Sequence, residues 1–267
     1  MAFMLGSANK LLIGVIHLRP LPGSPRWDGS FNAVLDRALA DARAYERGGA
    51  DAVIVENFGD VPFTKGPVPP ETIAAMAVAG RAVREVVRVP LGFNVLRNDA
   101  HAALALCAAC SGDFLRINVH TGAMLTDQGV IEGQAYETLR LRRVLAAHVS
   151  ILADVQVKHA TPLAPLPIEI AARDTLERGL ADALILSGTG TGIATDLREV
   201  ERVRAACPQA RLLIGSGVTA ANAADYLRFA DGVIVASSLK RNGRLHLPVD
   251  ERRVASLARV LRKAARS

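Results

Sequence analysis

The chain reads as a single (β/α)8 TIM barrel of the α/β class, and three observations predict it. Eight apolar, strand-like runs alternate with eight stretches of helical periodicity. The length, 267 residues, is close to the ~250 of one such barrel. Half of the residues are hydrophobic but only 4% are aromatic, so the core must be aliphatic, as barrel interiors are.

The strand-like runs fall at 11–16, 51–55, 90–95, 113–119, 150–157, 182–186, 211–214 and 232–236. The helical stretches lie at 31–48, 71–88, 99–109, 134–147, 168–179, 196–206, 219–228 and 251–265. Asn98-Asp99, Thr195-Asp196 and Thr219 stand at helix starts, where a side-chain oxygen can take an unpaired N–H. Gly48-Gly49 and Gly179 stop helices before the next strand. Nothing divides the chain, so residues 1–267 are read as one domain. Three connections are long, at 17–30, 56–70 and 119–133, and all come after strands. That is the barrel face where active sites sit, and loops of this length act as lids or binding walls.

The last three strand-and-turn units look built for an anion. Ala183-Leu-Ile-Leu186 runs into Ser187-Gly-Thr-Gly-Thr-Gly192, which contains Gly188, Thr189 and Gly190. Leu212-Leu-Ile214 runs into Gly215, Ser216 and Gly217, and the last strand into Ala236, Ser237 and Ser238. Glycine and serine directly after a buried strand let backbone N–H groups approach a phosphate. Two such turns in succession are where a barrel places its phosphate site. The ligand predicted is a phosphorylated small molecule.

Polar side chains collect at the ends of the other strands. Strand one ends in His17, strand two in Glu56-Asn57, and strand three in Asn94 with Arg97 just beyond. Strand four carries Arg116, Asn118 and His120. In strand five, Asp154, Gln156 and Lys158 alternate with Ala153, Val155 and Val157, and His159 comes next. Period two puts the three polar groups on one face, in a strand otherwise buried on both. They are therefore expected to point into the upper barrel. A desolvated Lys158 could act as a Schiff-base nucleophile, a proton carrier or a charge clamp. The bland alternative is an ion pair of Asp154 with Lys158 or Arg116 that merely fills the barrel.

Each polar residue has an expected role. His17, Glu56, Arg116, Asp154 and Lys158 carry the chemistry, with Asp154 or His17 moving protons and Lys158 with Arg116 holding or polarising the substrate. Asn57, Asn94, Asn118, His120 and His159 orient it. His17, His120 and His159 with Glu56 and Asp154 are also metal-ligand types, but their spacing is dispersed, and no metal is assigned. No pattern in the chain names a cofactor.

Other classes are excluded on composition. The formal charge is +6, but the arginines are spread over helices and accompanied by Asp and Glu. With few aromatics, no nucleic-acid surface is expected. Cys107, Cys110 and Cys207 make no disulfide framework, and Cys107-x-x-Cys110 lies in an Ala-rich helical run without a second ligand pair. They are read as small buried residues. No apolar run reaches ~18 residues, so no transmembrane helix is expected, and a cytoplasmic location is inferred. A homo-oligomer is left open.

The motifs together resemble a known family. They are Ile13-Gly-Val-Ile-His-Leu-Arg-Pro-Leu-Pro-Gly-Ser-Pro25, Glu56-Asn-Phe-Gly-Asp-Val-Pro-Phe63, Asn94-Val-Leu-Arg-Asn-Asp99, Phe114-Leu-Arg-Ile-Asn118, Asp154-Val-Gln-Val-Lys-His159, Ser187-Gly-Thr-Gly-Thr-Gly192 and Gly215-Ser-Gly-Val218. Over about residues 11–264 the chain is similar to the BtpA/SgcQ family. The resemblance implies a TIM barrel. It implies an association of cyanobacterial members with photosystem I biogenesis, and of other members with sugar-transport and sugar-metabolism genes. It implies no settled reaction. More remotely, the last three strands look like those of indole-glycerol-phosphate synthase and phosphoribosylanthranilate isomerase, which is an analogy of fold. Two functions compete: an enzyme acting on a phosphorylated sugar or nucleotide-like metabolite, and a non-enzymatic assembly factor. The polar residues converging on one barrel mouth favour the first.

Overall fold

The structure, a computed structural model, describes residues 10–265. In chain order its strands are β1 (Leu11–His17), β2 (Ala52–Glu56), β3 (Leu91–Asn94), β4 (Phe114–Ile117), β5 (Ala123–Thr126), β6 (Gly129–Glu132), β7 (Ser150–Val155), β8 (Ala160–Pro162), β9 (Ala183–Leu186), β10 (Leu212–Ile214) and β11 (Gly232–Val235). The helices are α1 (Phe31–Arg47), α2 (Pro70–Val86), α3 (Ala100–Cys110), α4 (Ala135–Leu145), α5 (Ile168–Arg173), α6 (Leu197–Ala206), α7 (Ala223–Leu227) and α8 (Glu251–Ala264).

Eight strands close a parallel barrel in the order β1-β2-β3-β4-β7-β9-β10-β11, with β11 returning to β1. Each coincides with one of the apolar runs. Alternation sorts their side chains. Leu11, Ile13, Val15, Ala52, Ile54, Phe114, Leu152, Ala183, Ile185, Leu213 and Ile234 form one buried cluster inside the barrel. Their neighbours along each strand, such as Leu12, Ile16, Val53 and Val55, join the helices in a larger outer core. The interior is a solid plug. At Gly92 a methyl group would collide with Phe114, whose ring fills the space.

The helix signals have local causes. Ser30, Asp99, Asp196 and Asp250 each accept an N–H of the first turn of α1, α3, α6 and α8. Thr219 does not cap α7, which starts four residues later than the sequence suggests. Asn222 Oδ1 accepts the Thr219 N–H at 2.8 Å and makes a turn of the intervening residues. Cys107 and Cys110 face the core from α3, their thiols on the carbonyls of Phe114 and Ala77.

Two differences matter for the site. The connection at 119–133 is not an open loop. It folds into the β5–β6 hairpin, and β8 from the segment after β7 adds to it, forming a three-stranded antiparallel cap. Met124 and Ile131 face inward with Val119 and Val157. Second, β7 ends at Val155, so the expected alternation through Lys158 stops early. Gln156 takes a left-handed backbone (φ 51°) and so does His159 (φ 56°). The Gln156 side chain donates to the Leu166 carbonyl at 2.7 Å and leaves the barrel face.

Candidate functional site

The plug residues dictate where the polar crown points. Along β1, the inward series Leu11, Ile13, Val15 continues to His17. Along β2, Ala52 and Ile54 lead to Glu56, and on β4 Phe114 leads to Arg116. On β7, Leu152 leads to Asp154. The register pairs His17 with Glu56 and Glu56 with Asn94, so the three lie side by side on one rim.

One half of the rim is a tight network. Arg116 Nε and Nη2 donate to the two oxygens of Asp154, each at 3.0 Å. Asn118 donates to Asp154 at 2.9 Å and the Ser187 hydroxyl at 3.3 Å. Asn94 donates to Asn118 Oδ1 and to the Arg116 carbonyl, both at 3.0 Å. Burial works against the Arg116 charge, but the Asp154 carboxylate outweighs it and holds the guanidinium protonated. Asp154 thus accepts four hydrogen bonds from three side chains. Of the two ion pairs the sequence allowed, Arg116–Asp154 is the one present.

The other half is under-satisfied. His17 Nε2 lies 3.5 Å from Glu56 Oε1, and its ring stacks on Phe58 with centroids 4.2 Å apart. His17 Nδ1 is buried without a partner. Burial pushes the imidazole well below its ordinary value, and Lys240, Lys158 and Arg116 push the same way. Glu56 is 5% exposed. Burial pushes its carboxyl up, against Arg116, Lys158 and Arg97. Lys158 lies within reach of no carboxylate for an ion pair, among the described residues. Burial and then Arg116 lower its ammonium. So an acid that resists ionising, a neutral imidazole and an amine that sheds its proton more readily than usual share one cavity.

That cavity is completed by the C-terminal turns. Thr191, Gly192, Gly215, Ser216, Gly217 and Ser237 line it opposite His17, Glu56, Arg116 and Lys158. The Gly215 N–H is taken by the Leu186 carbonyl at 2.7 Å. Those of Ser216, Gly217 and Ser237 have no acceptor among the described residues. The glycines also have packing reasons. A methyl group at Gly188 would collide with the Ile193 carbonyl oxygen, and one at Gly217 (φ 65°) with the Ala194 backbone. The 187–195 segment thus seats directly on the 215–217 turn, and Ser216 Oγ donates to the Gly190 carbonyl at 3.0 Å. Ser238 Oγ is spent on the Val218 carbonyl. The space left in the mouth is about 30 Å³, room for water.

Several expected residues sit elsewhere. Asn57 ties the loop after β2 to the loop after β3, accepting the Leu96 N–H at 2.7 Å. His120 Nε2 donates to the Gly179 carbonyl at 2.7 Å and does not line the mouth. His159 Nε2 accepts the Thr191 N–H at 3.2 Å, and its own backbone N–H goes to the Thr189 carbonyl, so it ties down the glycine loop. The three histidines do not converge. Arg97 and Ser187 are additions. Arg97 is buried and donates to the Lys158 carbonyl, fixing the residue that carries the amine. Its place just past strand three is the one hint in the sequence.

A family model, the BtpA family, matches residues 8–263. The chain belongs to the BtpA family. It is 47% identical to the photosystem I biogenesis protein BtpA of Synechocystis, over 99% of this chain and 92% of that one. It is 36% identical to the putative sgc region protein SgcQ of Escherichia coli K12, over 92% of each. Among solved structures, phosphoribosyl anthranilate isomerase from Thermus thermophilus superposes with a TM-score of 0.57 at 16% identity, covering 94% of this chain and 98% of that one. A native KDPGal structure superposes with a TM-score of 0.58 at 16% identity, covering 96% of each chain. At such identities these two attest the barrel fold alone. No described helix is long and apolar enough to cross a membrane.

Proposed function

We propose that this BtpA-family barrel is an enzyme that moves a proton on a phosphorylated small metabolite at its C-terminal face. The observation that carries the reading is the under-satisfied triad His17, Glu56 and Lys158, facing turns with unspent N–H groups across one cavity. A scaffold gains nothing from burying three ionisable groups without full partners, since each costs stability. Glu56 and His17 exchange the proton, and Lys158 polarises or condenses with a carbonyl. Arg116, held by Asp154, supplies fixed positive charge. Ser216, Gly217 and Ser237 cradle the phosphate by their N–H groups. Because the mouth has only about 30 Å³ of free space, the 187–195 segment lifts for the ligand and closes over it. Titration with a panel of sugar phosphates and nucleotides tests this. Wild type should bind one or more, and Lys158→Met should lose binding or turnover while staying folded. If wild type binds none, and Lys158→Met shifts only the melting temperature, the enzyme reading fails.

A second reading rests on a different observation. Leu125 and Val130 are cross-strand partners on the outer face of the cap, and Leu163 comes directly after β8; Leu125 and Leu163 are more than half exposed. Solvated apolar groups on a cap suit a protein partner, as an assembly factor would require. Leu125→Asp with Leu163→Asp should abolish partner binding under that reading, and leave ligand binding untouched under the first.

A further inference from the structure

His17 lines two cavities. One is the mouth. The other, about 430 Å³, lies outside it between the loop after β1, the loop after β2 and the segment before α8. Its lining is strongly basic: Arg19, Arg26 and Arg37 with His17 and His246, and no carboxylate. Arg19 and Arg26 come from the 17–30 loop and Arg37 from α1. Like charges converge there although the chain could have spread them.

Their neutralisation is incomplete. Arg19 pairs with Asp28, and Arg37 Nε with Asp41 at 3.2 Å. Asp41 is shared with buried Lys240, whose ammonium lies 2.6 Å away. Four cations thus meet two carboxylates, and Arg26 has no partner among the described residues. Nor does the backbone carrying Arg26 simply wave in solvent. Asp60 accepts the Leu21 N–H at 2.8 Å, Leu21 accepts that of Ser24, and Ser24 that of Trp27. Pro20, Pro22 and Pro25 stiffen the same stretch. A guanidinium presented by an ordered loop, unpaired, beside two more, is a prepared anion site.

We infer that this outer cavity is a second anion subsite, and that the metabolite of the barrel mouth is anionic at both ends, as a bisphosphate is. The inference rests on the reading of the mouth given above. One phosphoryl group lies on the Ser216, Gly217 and Ser237 turns. The second lies on Arg19, Arg26 and Arg37, and His17 stands between them. The volume suits a phosphoryl group with several carbons attached.

Two measurements test it on the full chain. Crystals soaked in tungstate, a phosphate mimic, should show an anion among the three arginines. Calorimetry at low salt should show fructose 1,6-bisphosphate binding at least about tenfold tighter than fructose 6-phosphate. Arg26→Gln, an exposed change that leaves the fold alone, should remove about that tenfold from the bisphosphate and nothing from the monophosphate. An outer cavity empty of tungstate, equal affinities for the two sugars, or an equal loss for both in Arg26→Gln would overturn the second subsite. Tungstate in the outer cavity but absent from the 215–217 turn would instead count against the mouth as a phosphate site.

Discussion

At Glu56 the two demands on a protein, stability and chemistry, pull apart. Burial makes the carboxyl hold its proton to higher pH than in the unfolded chain. Its stabilising contribution is complete below the ordinary value of 4.5 and is lost as pH rises towards the folded value. Glu56→Gln should therefore be more stable than wild type near neutral pH, with the difference closing at about pH 4.5 and below; urea unfolding across that range measures it. The same change should cut turnover by about 10²–10⁴ if Glu56 transfers a proton. His17 behaves oppositely. Its depressed value means that stability is held above 6.5 and lost as pH falls below it. Asp154 differs from both. Asp154→Ala strands a buried guanidinium and should cost about 3–5 kcal/mol in urea unfolding. The double change Arg116→Met with Asp154→Leu should recover much of that loss, while a residue kept only for stability would show no loss of ligand binding in the double variant.

At the scale of elements, the strands are far more legible in the sequence than the turns and loops beyond them. Inside a strand, the period of two carries through to the rim, so the pattern alone places His17, Glu56, Asn94, Arg116 and Asp154 facing inward. Beyond the last ladder bond that period has no physical basis. Gln156 turns left-handed and leaves the mouth, while Lys158, two residues later, returns to it. The positions of His120 and His159 escape the pattern for the same reason. The antiparallel cap is illegible because its strands are three or four residues long, and such runs carry too little pattern. The Ser187–Gly192 loop shows another ambiguity. Gly188 fits an anion and also fits close packing inside its own loop, against the Ile193 and Ala194 carbonyls. Gly217→Ala should cost at least about 1–2 kcal/mol, from its left-handed backbone and the Ala194 contact, with or without a ligand site. Thermal melts without ligand measure that loss. Ser237→Asp isolates the anion question, because it adds repulsion where no backbone is crowded. It should leave the melting temperature within a few degrees and remove binding of phosphorylated ligands seen by calorimetry.

For the whole molecule, the fold and the function are linked by one division of the barrel. The lower interior is an apolar plug that fixes the strands. The upper rim is polar, and its His17, Glu56, Arg116 and Lys158 face the turns after β9, β10 and β11. Family membership and fold rest on the whole chain, while the chemistry rests on the rim. The central claim is that this rim receives a phosphorylated metabolite. Equilibrium dialysis of the purified protein against a cell metabolite extract, with mass spectrometry of the retained compounds, tests it most directly. Wild type should enrich a phosphorylated small molecule, and Lys158→Met and Ser237→Asp, both folded, should not. Retention of no phosphorylated compound by wild type, or equal retention by all three proteins, would contradict it.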